Sequence, residues 1–98
     1  MPARILVIED NPTNLELMMY LLSAYGYQPI TATDGVEGVE AAQRERPDLI
    51  VCDVQLPRAD GFEVVRRLRA QREFRKVPLI AVTARHGRRP RAPVGRRV

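Results

Sequence analysis

The feature that most restricts this chain is a pair of short, unbroken apolar runs that each end on acid. Ile5, Leu6, Val7 and Ile8 stop at Glu9 and Asp10, and Leu49, Ile50, Val51 and Cys52 stop at Asp53. A strand with one wet face alternates apolar and polar residues, so a continuous run marks a strand covered on both faces. After each run the spacing changes to that of a helix. Asn11 offers an N-cap, and Pro12 suits a first helical position, where a missing N–H costs nothing. Leu15, Met18, Met19 and Leu22 follow at i, i+3, i+4 and i+7, with Gly26 as the C-cap.

The rest of the chain repeats this alternation. A strand over residues 28–33 carries Pro29, which favours a sheet edge or a strand start. Asp34 caps a helix through Val36, Val39 and Ala42 that ends before Pro47. Residues 48–53 are a strand and 54–60 a loop with Pro57. Gly61 opens a third helix with Phe62, Val65 and Leu68 inward and Arg66, Arg67 and Arg69 outward. Residues 77–82 form a fourth strand ending at Thr83. Strands joined by helices run parallel with right-handed crossovers, which predicts an α/β sheet with helices on both faces.

Length and composition narrow the function classes. Ninety-eight residues make one domain. No apolar stretch approaches the ~20 residues of a membrane span, and no secretory signal is visible. One cysteine and one histidine exclude an internal disulfide and disfavour zinc. A reducing cytoplasm is the expected compartment. The formal charge of +4 hides a division. Residues 1–84 hold ten basic and all twelve acidic residues, whereas 85–98 hold six arginines and no acid. We therefore expect a mildly acidic domain over 1–84 and a basic, disordered tail over 85–98.

In a parallel sheet the strand C-termini share one edge, where α/β folds place ligands. Glu9 and Asp10 end the first strand, Asp53 the third and Thr83 the fourth. Each acid taken singly reads as a helix cap or a wet loop end. Jointly they read as a site. If the first and third strands are neighbours, about 4.8 Å apart, the carboxylates repel, and one takes a proton unless a cation intervenes. An all-oxygen set calls for Mg²⁺ rather than Zn²⁺. Such a cluster suits phosphoryl chemistry, with a carboxylate as nucleophile and a hydroxyl such as Thr83 on a phosphoryl oxygen.

The segments ILVIEDNPTNLELMMYLL, PDLIVCDVQLPRADGFEVVRRLR and VPLIAVTA resemble the receiver domain of two-component response regulators over about residues 3–84. That resemblance implies a flavodoxin-like, doubly wound sheet of order 2-1-3-4. It implies Asp53 as the phosphoacceptor, charged from the phosphohistidine of a histidine kinase or a histidine phosphotransfer protein. Asp10 would ligate Mg²⁺ directly, Glu9 through water, and Gln55 through its backbone carbonyl. Thr83 would be the switch hydroxyl and Ala84 the small residue that gives it room. Pro57 and Gly61 match the loop after the acceptor.

One departure matters. The family carries a further helix, a fifth strand ending in a lysine, and a last helix after the switch threonine, and no such pattern follows Ala84. The only lysine, Lys76, precedes the fourth strand and so sits away from the site. An open fourth-strand edge and a partly uncovered sheet face then predict a homodimer or larger assembly. The tail reads either as an altered C-terminus or as a basic arm, and nucleic acid is disfavoured because no aromatics are interleaved for base stacking. The chain is expected not to be a turnover enzyme, since a dehalogenase-type phosphatase needs an aspartate where Gln55 stands. The competing reading is a non-phosphorylated scaffold or dimerisation module, or a protein acting through its basic tail. Cys52, Met18 and Met19 are expected to be core or near-core residues. Tyr20, Tyr25 and Tyr27 are expected to pack at the end of the first helix. Arg66, Arg67, Arg69 and Arg72 are expected to form a solvated helix face, and His86 to have no catalytic or metal-binding role.

Overall fold

Both continuous apolar runs lie in the middle of a four-stranded parallel sheet. The computed structural model describes residues 2–53 and 61–82. The elements are β1 (Arg4–Ile8), α1 (Pro12–Ala24), β2 (Gln28–Ala32), α2 (Gly35–Glu45), β3 (Leu49–Asp53), α3 (Gly61–Arg69), a 3₁₀ turn (Arg72–Phe74) and β4 (Leu79–Val82). The strand order is β2-β1-β3-β4, as expected, with every pairing parallel. Pro29 sits in an edge strand, where a lost N–H is tolerated. No helix among the described residues is long and apolar enough to cross a membrane.

Local chemistry sets the helix ends. The Asn11 side chain accepts from the Asn14 N–H at 3.0 Å and the Asp34 side chain from the Glu37 N–H at 2.7 Å, so both helix starts are capped as expected. Tyr25 is the C-cap of α1, and Gly26 follows at φ +87°, a conformation that glycine adopts without a Cβ penalty. At the opposite edge from the strand C-termini, Arg4 ties β1 to the end of α2. Its N–H donates to Asp48 at 2.8 Å, and its guanidinium holds the Glu45 carboxylate at 2.6 Å.

The two faces of the sheet differ in kind. On one, Leu6, Ile8, Ile50 and Cys52 pack under Val39, Ala42, Val64, Leu68 and Phe74 as a closed core. On the other, α1 lies over β1 and β2. This helix buries no residue completely, contrary to the expected inward stripe. Leu15, Met18 and Leu22 are only partly covered, and Met19 is exposed. The reason is coverage: α1 shields two strands, and among the described residues no second helix stands beside it.

Three further expectations are corrected. In α3 the inward stripe is Gly61, Val64 and Leu68, whereas Phe62 is 53% exposed and Val65 half-buried. Helical rotation from Gly61 carries position 62 away from the sheet. Arg69 does not join the solvated face with Arg66 and Arg67. Its Nη1 turns back to donate to the carbonyls of Phe74, Arg75 (3.2 Å) and Val77 (2.8 Å), closing the turn before β4. The three tyrosines do not pack away, and Tyr20 is 70% exposed. The expected loop 54–60 and the residues from Thr83 onward, tail included, lie outside the described residues.

Two substitutions test this packing. A Cβ at Gly38 would stand 2.5 Å from Cδ1 of fully buried Ile8. Gly38→Ala should therefore destabilise the fold by about 1 kcal/mol despite better helix propensity, because overpacking costs about 1–3 kcal/mol. Equilibrium urea denaturation measures it. Arg69→Ala frees three carbonyls from one guanidinium and should cost about 1–2 kcal/mol in the same assay, whereas Arg66→Ala, on the exposed face, should cost less than about 0.5 kcal/mol.

Candidate functional site

Sheet register builds the acidic cluster. Ile8 pairs with Cys52 across β1 and β3, so the next residue of each chain segment brings Glu9 beside Asp53. The Glu9 N–H donates to the Ala32 carbonyl at 3.0 Å, which holds the end of β1 against β2. Asp10 then precedes the N-cap of α1. One carboxylate oxygen from each of Glu9, Asp10 and Asp53 lies within 4.8 Å of the others. This is the convergence expected of the strand ends. Cys52, one residue from Asp53, points into the core on the opposite face, where it is fully buried.

Asp53 is only 6% exposed, which makes it the one buried charged residue among those described. Glu9 feels the crowding. Partial burial pushes its carboxyl above the ordinary range, the Asn11 N–H at 3.0 Å pulls it down, and the charges of Asp53 and Asp10 push it up again. A hydrogen bond to Asp53 adds to the upward shift, as expected where carboxylates crowd together. A doubly charged cation would offset that repulsion. The donor set is carboxylate oxygen, without nitrogen or sulfur, and this fits a hard ion such as Mg²⁺.

Asp53 also opens onto a groove. Its walls include Val7, Val51 and Val82 from the sheet and Leu17 and Met18 from α1, with Asn14 and Glu9 at the acidic end. Sequence reasoning missed this groove. Its signal was available in α1, whose apolar residues are not confined to one stripe. Val82 is the register partner of Asp53, so β4 ends level with the cluster. Thr83, Ala84 and Gln55 lie outside the described residues, and Lys76 is exposed before β4, away from the cluster.

Comparison with known proteins gives one answer. Residues 5–92 match the model of the response regulator receiver domain. The chain is 43% identical over 84 residues to the polar-differentiation response regulator DivK of Brucella anthropi, covering 86% of this chain and 68% of that protein. Its fold is similar to the receiver domain of the sensor histidine kinase PA1611 of Pseudomonas aeruginosa (TM-score 0.82, 40% identity, 87% of this chain and 70% of that one), a structure with a magnesium ion coordinated in its active-site cleft. It is also similar to the chemotaxis response regulator CheY4 of Vibrio cholerae (TM-score 0.84, 31% identity, 88% and 72%). Sheet order, acidic strand ends and these matches agree: the chain belongs to the response regulator receiver family, the signal-transduction modules of two-component systems.

Proposed function

We propose that this chain accepts a phosphoryl group on Asp53 from the phosphohistidine of a histidine kinase or a histidine phosphotransfer protein, in the presence of Mg²⁺. The observation that carries this reading is the buried Asp53 carboxylate held within 4.8 Å of Glu9 and Asp10 at the strand ends. A carboxylate oxygen of Asp53 attacks phosphorus, the P–N bond breaks, and the imidazole nitrogen leaves with the electron pair and takes a proton. Asp10 would hold the metal directly, Glu9 through water and Gln55 through its backbone carbonyl. When bound, the ion neutralises charge on carboxylate and phosphoryl oxygens. Thr83 is assigned the hydroxyl that donates to a phosphoryl oxygen and Ala84 the room for it, both by the family resemblance. Supporting the metal, the similar receiver of PA1611 holds magnesium in its cleft.

On this reading the protein is a cytoplasmic signalling module rather than a turnover enzyme, and nucleic acid is not its partner. Among the described residues β4 is a sheet edge, and such an edge invites self-association. Among the described residues no lysine stands at the strand-end edge, since Lys76 lies before β4. The exposed apolar row of α1 favours a second reading, a scaffold that works without phosphorylation.

Acetyl phosphate with Mg²⁺ separates the two readings. Mass spectrometry should find one added phosphoryl group, lost in Asp53→Asn and on chelation of the metal. Unlabelled protein under conditions that label a relative such as CheY4 would favour the scaffold.

The raised Glu9 carboxyl makes a prediction about pH. Glu9 keeps its proton to higher pH folded than unfolded. The stability it contributes is therefore fully present below the ordinary carboxylate value and is lost as pH rises through the raised folded value. Thermal melts of metal-free protein should show this loss just above the usual carboxylate range. Glu9→Gln should remove that part of the pH dependence, and saturating Mg²⁺ should suppress it in the wild type.

A further inference from the structure

The acidic cluster and the first turn of α1 meet in one residue, Asn11, which is pinned through its own N–H, side chain and carbonyl. The N–H donates to Oε2 of Glu9 at 3.0 Å. The side-chain oxygen accepts from the Asn14 N–H at 3.0 Å, and the carbonyl accepts from the Leu15 N–H at 2.9 Å. The first bond faces the carboxylates, and the other two belong to the helix. A shift of the helix start therefore moves the donor on which Glu9 leans.

The sequence presets this arrangement. A residue before proline is kept out of the helical region, and Asn11 precedes Pro12. It sits at φ −86° and ψ 118°, the extended backbone of an N-cap. From that backbone the short amide closes onto Asn14, while the N–H turns back to residue 9. Of the three acids, Glu9 gains most from such a hold. Glutamate has one more rotatable bond than aspartate, and Glu9 is half-buried where Asp53 is buried. The Glu9 backbone is fixed by its bond to the Ala32 carbonyl at 3.0 Å, so the Asn11 N–H acts on the part still free to turn, the carboxylate.

We infer that Asn11 is a positioning residue for the metal site: by capping α1 it aims its own N–H at Glu9 and holds that carboxylate beside Asp10 and Asp53. This rests on the Mg²⁺ reading given above, and adds that the helix cap as well as the acids sets the affinity. A hydrogen-bonded outer partner orders a ligand before the ion arrives, and losing one commonly weakens metal binding by roughly 10–100-fold. Coupling of this kind is reciprocal. An ion held at the cluster fixes Glu9, hence Asn11, hence the first turn of α1. Every bond in this path lies within residues 9–15.

The test uses the full chain. Calorimetric titration with Mg²⁺ reads the affinity, and hydrogen exchange at the Asn14 and Leu15 amides reads the cap. Asn11→Ala should weaken Mg²⁺ binding about fivefold, less than the loss of an outer partner outright, because the N–H is displaced and not deleted. Asn11→Ser supplies another good cap and should restore the wild-type affinity. Arg69→Ala loosens the turn before β4, far from the cluster, and should leave the affinity unchanged. Mg²⁺ should slow exchange at both amides in the wild type and fail to do so in Asn11→Ala. Wild-type affinity in Asn11→Ala, or an equal weakening in Arg69→Ala, overturns the positioning role and leaves the metal site standing. A wild-type chain that binds no Mg²⁺ overturns the metal reading, and the role of Asn11 with it.

Discussion

Like charge gathered at the end of two central strands is the constraint on which this molecule turns. The pairing of Ile8 with Cys52 fixes where β1 and β3 stop relative to one another, and so brings Glu9, Asp10 and Asp53 within 4.8 Å. The β1 run behind them is buried on both faces and the β3 run on its α2 and α3 side, and this holds the register, because a one-residue slip would turn core residues toward the opposite face. The closed core under α2 and α3 thus stabilises an arrangement that the carboxylates by themselves oppose. The raised Glu9 carboxyl is the local trace of that opposition.

Much of this is legible in the sequence itself. Continuous runs ending in acid located the two central strands, Pro29 marked the edge, and Asn11 and Asp34 marked the helix starts, each by a mechanism that acts within a few residues. What failed depended on partners remote in sequence. The periodicity of Leu15, Met18, Met19 and Leu22 called for a buried stripe, but burial needs a neighbour, and α1 covers the sheet alone among the described residues. An inward set of Phe62, Val65 and Leu68 is one residue out of phase at its start, since Val64 takes the inward position by rotation from Gly61 and only Leu68 is shared. Arg69 looks like surface charge in sequence beside Arg66 and Arg67, although its guanidinium gathers carbonyls that follow it by five to eight residues.

The asymmetry between the two faces links fold to function. On the α2 and α3 side, tight packing reaches as far as Gly38, where no Cβ fits against Ile8 at ordinary contact distance. On the α1 side the groove runs from Leu17 and Val82 up to Asp53 itself. Anything seated there would lie next to the carboxylates, so occupancy of the groove and the state of the acidic cluster are neighbours in space.

Titration of the metal-free protein with Mg²⁺, followed through backbone amide resonances, addresses the central claim most directly. The account predicts one saturable site, with the largest shifts at Glu9, Asp10, Asn11 and Asp53 and little change at the other acidic residues. Shifts that never saturate, or that spread evenly to Glu37, Glu40 and Glu63, would contradict it.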